Sequence, residues 1–248
     1  MVFAAGLGTR LRPLTDTMPK ALVPVSGEPL LGHVLRNLSS AGMEEAVVNV
    51  HHFAPMIKDW VRDNDCGLPV KISDESGELL DTGGGILNAR RLLEAPLPGG
   101  TDRFLVHNVD ILSNLDIKDF CEKFSSWSPV AVLVVSPRKT SRYLLFDPED
   151  MRLLGWTNIE TGEVRSPYPD IDLSRCIRLA FAGIHLLSRD IFPAFGEFGF
   201  EGKFSIMDFY IRACGKLDIR GYVPDGFRMI DVGKKGSVEE AEEFLQSL

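Results

Sequence analysis

The stretch Ala4-Ala5-Gly6-Leu7-Gly8-Thr9-Arg10-Leu11-Arg12-Pro13-Leu14-Thr15-Asp16-Thr17-Met18-Pro19-Lys20-Ala21-Leu22 decides how this chain is read. A short apolar run, Val2-Phe3-Ala4-Ala5, predicts a buried strand that empties into a glycine-rich turn at Gly6 and Gly8. Glycines there leave backbone N–H groups open, so the turn forms an anion-binding concavity, and Arg10, Arg12 and Lys20 add fixed positive charge. A polyphosphate suits such a loop. Two common phosphate loops do not fit: the chain lacks Gly-x-x-x-x-Gly-Lys-Ser/Thr here, and Leu11 stands where a dinucleotide fingerprint needs a third small residue.

Working outward, the remaining sequence predicts strands alternating with helices. Leu30, Leu31, Val34, Leu35 and Leu38 share one helical face ahead of Gly42, and Ala46–Val50 reads as a buried strand. A helix over 55–62, a strand over 70–72, a helix over 83–93, a strand at 104–106, a helix over 117–124 and a strand over 130–135 continue the alternation. Such alternation predicts a mainly parallel sheet covered by helices on both faces. From Tyr143 to Ile184 short strands (143–146, 153–156, 177–185) predict a small antiparallel addition, after which helices over 189–195 and 206–213 and a strand over 219–223 resume the pattern. Ser237 with Glu240 three residues on has the spacing of a capping box for a last helix.

Composition bounds the partners. A net charge of −8 over 248 residues argues against nucleic acid or an anionic membrane, so a local basic cluster points to a small anionic ligand. No apolar run reaches membrane-spanning length and no secretory leader is evident, so a cytoplasmic protein is expected. Cys66, Cys121, Cys176 and Cys214 make no Cys-x-x-Cys pair and read as buried thiols, while adjacent His51 and His52 would face opposite sides of a strand. Neither pattern points to zinc.

The run Gly6 to Thr15, followed by Pro19-Lys20 and Pro24-Val25, closely resembles the signature of sugar-1-phosphate nucleotidyltransferases. The resemblance implies a Rossmann-like α/β three-layer sandwich with a mainly parallel mixed sheet. It also implies one nucleotidyltransferase domain over 1–248, with a nucleotide-binding half at 1–136 and a sugar-binding half at 137–248. Relatives commonly carry a hexapeptide-repeat β-helix after this point; its absence from these residues predicts no added acyltransferase activity. Met1 lies so close to the first strand that a residue or two of the family's usual lead is expected to be missing.

Further site residues follow from the same resemblance. Asp110, at the end of a strand where ligands of open α/β sheets collect, matches the family's metal-binding aspartate, although Val109 replaces the usual glycine. Asp231 in Ile230-Asp231-Val232-Gly233 matches the second, with Asp225 and Asp208 as alternatives. Two such carboxylates beside a triphosphate suit Mg²⁺. Arg10 would hold the β- and γ-phosphates, and Lys20 would bridge the α-phosphate and the incoming sugar phosphate. Ala5, Gly6, Gly8, Thr9, Gly83, Gly84 and Asn108 are the expected nucleotide contacts, with Asp81 replacing a more usual glycine or glutamate. Gly183, Asn158 and Ser205 are the expected sugar contacts.

The family's frequent Glu-Lys-Pro element has no lysine around Trp156-Thr157-Asn158, and Ser205 stands where many relatives have glutamate. These departures predict a bulkier or substituted sugar. Uridylyl transfer to an amino-sugar 1-phosphate leads, with guanylyl transfer to mannose 1-phosphate next. A phosphocholine cytidylyltransferase, with Trp156 and Phe181 as cage members, and a non-catalytic nucleotide-sugar-binding subunit are the other readings. A monomer or homodimer is expected.

Overall fold

The computed structural model describes residues 1–95, 102–125, 129–234 and 236–248. In chain order the elements are β1 (Val2–Phe3), the hairpin β2 (Pro24–Val25) and β3 (Glu28–Pro29), α1 (Leu30–Ser40), β4 (Ala46–Val50), α2 (Ala54–Asp63) and β5 (Val70–Asp74). Next come α3 (Asp81–Asn88), α4 (Arg90–Leu93), β6 (Arg103–Asn108), β7 (Ile111–Ser113), α5 (Ile117–Lys123) and β8 (Ala131–Ser136). The second half supplies β9 (Arg142–Phe146), β10 (Leu153–Asn158), β11 (Val164–Arg165), β12 (Ile177–Ser188), α6 (Ile191–Glu197), α7 (Ile206–Ala213), β13 (Ile219–Tyr222), β14 (Met229–Asp231) and α8 (Ser237–Gln246).

The order β5-β4-β1-β6 is parallel throughout. β12 runs against both β6 and β8, and β13 is parallel to β8, so β12 alone is reversed in this layer. The sheet is therefore mixed and mainly parallel. β9, β10 and β11 pair antiparallel beyond the first residues of β12 and form the expected small addition.

Both faces of the layer are covered. Val48, Val132 and Val134 join one apolar cluster with Leu30 and Leu35 of α1, Ile57 of α2 and Phe120 of α5. Their neighbours Val47, Leu133 and Val135 point the other way, into a cluster with Ile86 of α3, Phe195 of α6 and Phe209 of α7. This alternation is the period-2 pleat, and it explains why β4 and β8 are apolar on both faces along most of their length.

Three local expectations change. The helix placed at 83–93 starts at Asp81 and is divided at Ala89 into α3 and α4. His51 and His52 follow β4 in a turn, where His51 Nδ1 lies 2.6 Å from the Glu75 carbonyl. The capping box does not form: Gly236, with φ +86°, precedes α8, and Ser237 Oγ donates to the Lys234 carbonyl at 2.5 Å. The four cysteines are free, with Cys66 and Cys214 buried and Cys121 and Cys176 half-buried.

His107 and His185 are core residues on β6 and β12, and His185 Nδ1 shares a 2.6 Å hydrogen bond with the Tyr210 hydroxyl. Burial pushes His107 down to about 4 and His185 down to about 3. Below about pH 6.5 the unfolded chain takes up protons that the folded chain refuses, so stability falls by roughly 1.4 kcal/mol per pH unit per histidine as pH drops toward these values. Thermal melts are expected to fall steeply between about pH 6 and pH 4, and His185→Gln to lessen the slope. A midpoint flat across that window would contradict this account.

Candidate active site

The glycine loop is tied down at both ends. As β1 finishes, the Ala4 N–H donates to Asn49 Oδ1 at 2.8 Å, and Asn49 Nδ2 donates to Glu75 Oε1 at 2.8 Å. Three short 3₁₀ turns, Thr9–Leu11, Leu14–Asp16 and Lys20–Leu22, then wind the chain back on itself. At Gly8 the backbone has φ +64°, and a Cβ would stand 2.8 Å from Thr15 Cγ2. The Thr15 hydroxyl donates to the Gly8 carbonyl at 2.8 Å, so both conformation and space require glycine. Gly6 is the opposite case, with nothing within 4 Å of the Cβ position and open access to solvent.

The loop forms one wall of a cleft of about 590 Å³ that takes in Ala5, Gly6, Gly8, Thr9, Arg10 and Lys20. Glu75, Leu79, Asp81 and Thr82 face them, Asn108 and Asp110 lie at the strand end, and Lys203 and Gly233 arrive from the second half. The cleft sits beyond the carboxyl ends of β1, β4 and β6, where backbone groups have no further ladder partner.

Two carboxylates meet at its edge. Lys20, only 8 % exposed, forms an ion pair with Asp110 through Nζ and Oδ2. β7 and β14 make a separate two-stranded sheet in which Asp231 lies opposite Ile111, and the Val232 N–H donates to the Asp110 carbonyl at 2.8 Å. This ladder brings Asp231 to Asp110. Burial raises the pKa of the Asp231 carboxyl, and the Asp110 charge raises it further, against the opposing pull of Lys20, Arg10 and Arg138. Asp231 Oδ1 is buried without a hydrogen-bond partner.

That donor set suits a hard divalent cation. It offers oxygen ligands, like charges that repel until a cation joins them, and one buried oxygen in need of a partner. Among the described residues no cluster of three or more His, Cys, Asp or Glu forms a metal cage, so a bound ion would take its other ligands from substrate oxygens or water. At Gly233 a Cβ would stand 2.9 Å from Arg10 Nη2 and closer still to Asp231 Oδ1; glycine lets guanidinium and carboxylate face each other. Of the alternative carboxylates, Asp208 is paired at 2.7 Å with Arg165, and Asp225 is exposed outside the cleft.

Several expected contacts lie elsewhere. Gly83 and Gly84 are buried, and both amides donate to the Phe204 carbonyl at 2.9 and 3.1 Å. Side chains there would collide with the Phe204 ring and the Gly202 carbonyl, so these glycines admit the 202–204 segment rather than a base. Asp81 and Thr82 line the cleft instead. Ser205 caps α7, accepting from the Met207 N–H at 3.3 Å. Asn158 accepts from the Glu160 N–H at 3.0 Å in the turn after β10, and its side chain shapes that turn. Gly183, with φ +77°, lies in the irregular stretch of β12, where a Cβ would stand 2.8 Å from Asn108 Nδ2. It shapes the seat of Asn108 from below.

Asn49, Glu75, Lys203 and Arg138 are further residues at or near the site that the motifs do not single out. Asn49 sits inside an apolar strand and Glu75 is 3 % exposed, and a buried polar residue in such surroundings is the available signal. Lys203 and Arg138 carry no sequence signal beyond their charge.

A glycine-rich anion loop facing two carboxylates across a strand-end cleft is the arrangement of a nucleotidyl transferase. Residues 1–151 match the Nucleotidyl transferase family, and the chain belongs to it. It is an enzyme of the sugar-1-phosphate nucleotidyltransferase class. The chain is 33% identical over 235 residues to N-acetylmuramate alpha-1-phosphate uridylyltransferase of Caulobacter vibrioides, covering 92% of this chain and 89% of that one. It is 25% identical over 233 residues to D-glycero-alpha-D-manno-heptose 1-phosphate guanylyltransferase of Campylobacter jejuni, covering 94% and 93%. The crystal structure of HddC from Yersinia pseudotuberculosis superposes with a TM-score of 0.73 at 23% identity, covering 98% of this chain and 97% of that one, a likeness of fold. Among the described residues no helix is long and apolar enough to cross a membrane.

Proposed function

We propose that this enzyme transfers a uridylyl group from UTP to an amino-sugar 1-phosphate of the N-acetylmuramate type, with Mg²⁺ as its cation. The observation that carries the specificity is the 33% identity to the Caulobacter uridylyltransferase over nearly the whole of both chains. The ion pair of Lys20 with Asp110, joined by Asp231, supports the chemistry. A sugar-phosphate oxygen attacks the α-phosphorus, a new P–O bond forms, the bond to the bridging oxygen of the leaving group breaks, and pyrophosphate departs with that electron pair. The attacking phosphate is already anionic, so no general base is required.

The residues have to hold two polyanions together and offset the charge that builds up between them. Amides of the Gly6–Thr9 turn and Arg10 would hold the β- and γ-phosphates and stabilise the departing charge. Lys20, kept in place by Asp110, would touch the α-phosphate and the incoming phosphate. Asp110 and Asp231 would hold Mg²⁺, which supplies Lewis-acid neutralisation of phosphate oxygens when bound. Ala5, Thr9 and Asn108 line the cleft and would contact the nucleotide, and Asp81 and Thr82 in the same wall would be available to the base.

The test is pyrophosphate release with Mg²⁺, crossing UTP, GTP, CTP, ATP and dTTP against N-acetylmuramate, N-acetylglucosamine, mannose and glucose 1-phosphates. UTP with N-acetylmuramate 1-phosphate is expected to exceed other pairs by at least about ten-fold, the scale of one good discriminating contact. A preference for GTP with a manno-configured sugar phosphate would overturn the uridylyl assignment. Phosphocholine serves as a negative control, since Trp156 already faces the Arg165 guanidinium at 5.9 Å and Phe181 packs on His185.

A further inference from the structure

Arg10 and Lys20 come from the glycine loop, and both line the nucleotide cleft. Arg138 does not. It follows β8 in the second half of the chain, is exposed, and forms no carboxylate ion pair among the described residues. Its Nη2 donates to the Phe181 carbonyl at 3.1 Å, which fixes it to β12 two residues before Gly183. Gly183 abuts Asn108 at the end of the strand that leads to Asp110. The Phe181 contact thus anchors Arg138 to the stretch of β12 that backs Asn108, a residue of the cleft wall, and Arg138 comes from the half of the sequence opposite the glycine loop's own cations.

In-line transfer requires the second anion to enter opposite the departing pyrophosphate. Lys20 is already half committed to Asp110, the segment Trp156-Thr157-Asn158 itself contains no cation, and Arg165 beside it is paired with Asp208 at 2.7 Å. An arginine with one N–H spent on a backbone carbonyl keeps the rest of its donor fork for a phosphate. We infer that Arg138 binds the phosphate of the incoming sugar 1-phosphate and sets its approach to the α-phosphorus. This rests on the nucleotidyl-transfer reading above.

The experiment compares Arg138→Met and Arg138→Lys with wild type, using UTP, N-acetylmuramate 1-phosphate and Mg²⁺. Apparent KM is measured for each substrate, and UTP affinity is measured separately by calorimetry without sugar phosphate. Arg138→Met is expected to lower kcat/KM for the sugar phosphate by about 10- to 100-fold, the scale of a charge-assisted pair, with UTP affinity changed less than about three-fold. Arg138→Lys is expected to recover part of the loss. Equal weakening of UTP binding would place Arg138 on the nucleotide phosphates and overturn the inference, as would full activity in Arg138→Met. If wild type turns over none of the sugar phosphates tested, the functional reading falls and this inference falls with it; failure of the variants alone leaves that reading standing.

Discussion

Asp110→Asn is expected to lower kcat by at least about 10³-fold while leaving a folded protein, on the scale of removing a charge that anchors a catalytic cation. The amide keeps the shape of the carboxylate and can still accept from Lys20, but it withdraws the negative charge from both Lys20 and any bound cation. Lys20 is nearly buried, so its loss of a counter-charge also costs stability, about 1–3 kcal/mol. The two effects separate experimentally. A melting curve that remains cooperative at a lowered midpoint, with turnover gone, is the expected pair of results. Turnover within ten-fold of wild type would remove Asp110 from the catalytic centre. Asp110→Ala is the poorer probe, because it deletes the acceptor as well as the charge.

Arg10→Ala separates the same quantities in the opposite way. Arg10 is exposed and makes no ion pair among the described residues, so its removal should change stability by less than about 0.5 kcal/mol. Activity is another matter: a guanidinium directed at the leaving phosphates is worth about 10²- to 10³-fold in kcat, because its charge acts where negative charge accumulates. Arg10→Lys should restore little, since a point charge cannot replace a planar fork of donors. The check is steady-state kinetics beside a denaturant curve. Near-normal kcat in Arg10→Ala would assign the leaving-group charge to another residue, with Lys203 as the next cation along the cleft.

Some features were legible because the residues carry both a local and a tertiary reason for their place. Ala46–Val50 and Ile206–Ala213 lie where apolar patterning puts them, and the glycine loop declares itself through a strand, two glycines and three cations in close succession. Other features depend on contacts that no local pattern encodes. Gly83 and Gly84 looked like openings for a planar base, yet the partner that needs the space is Phe204, far along the chain. Ser205, a candidate for sugar hydroxyls, caps a helix; Asn158, another such candidate, closes a turn. Short polar side chains favour nearby backbone groups, and the sequence does not show which use prevails. The capping box at Ser237 failed for a related reason: with glycine in the left-handed region just before the helix, the serine hydroxyl turned back to Lys234. Arg138 and Lys203 are silent in the sequence because an isolated cation reads as solvated surface until a fold places it.

The two-stranded ladder of β7 with β14 places a strict demand on pairing. Side chains alternate across a strand, so slipping β14 by a single position would turn Asp231 away and present Ile230 or Val232 in its place. Either slip would set an aliphatic chain against Lys20 and Arg10 and leave a carboxylate among apolar side chains. The apolar neighbours of Asp231 thus act as a lock on alignment: misregistered chains are penalised on both faces at once, and the separation of the two acidic groups is fixed before any substrate arrives.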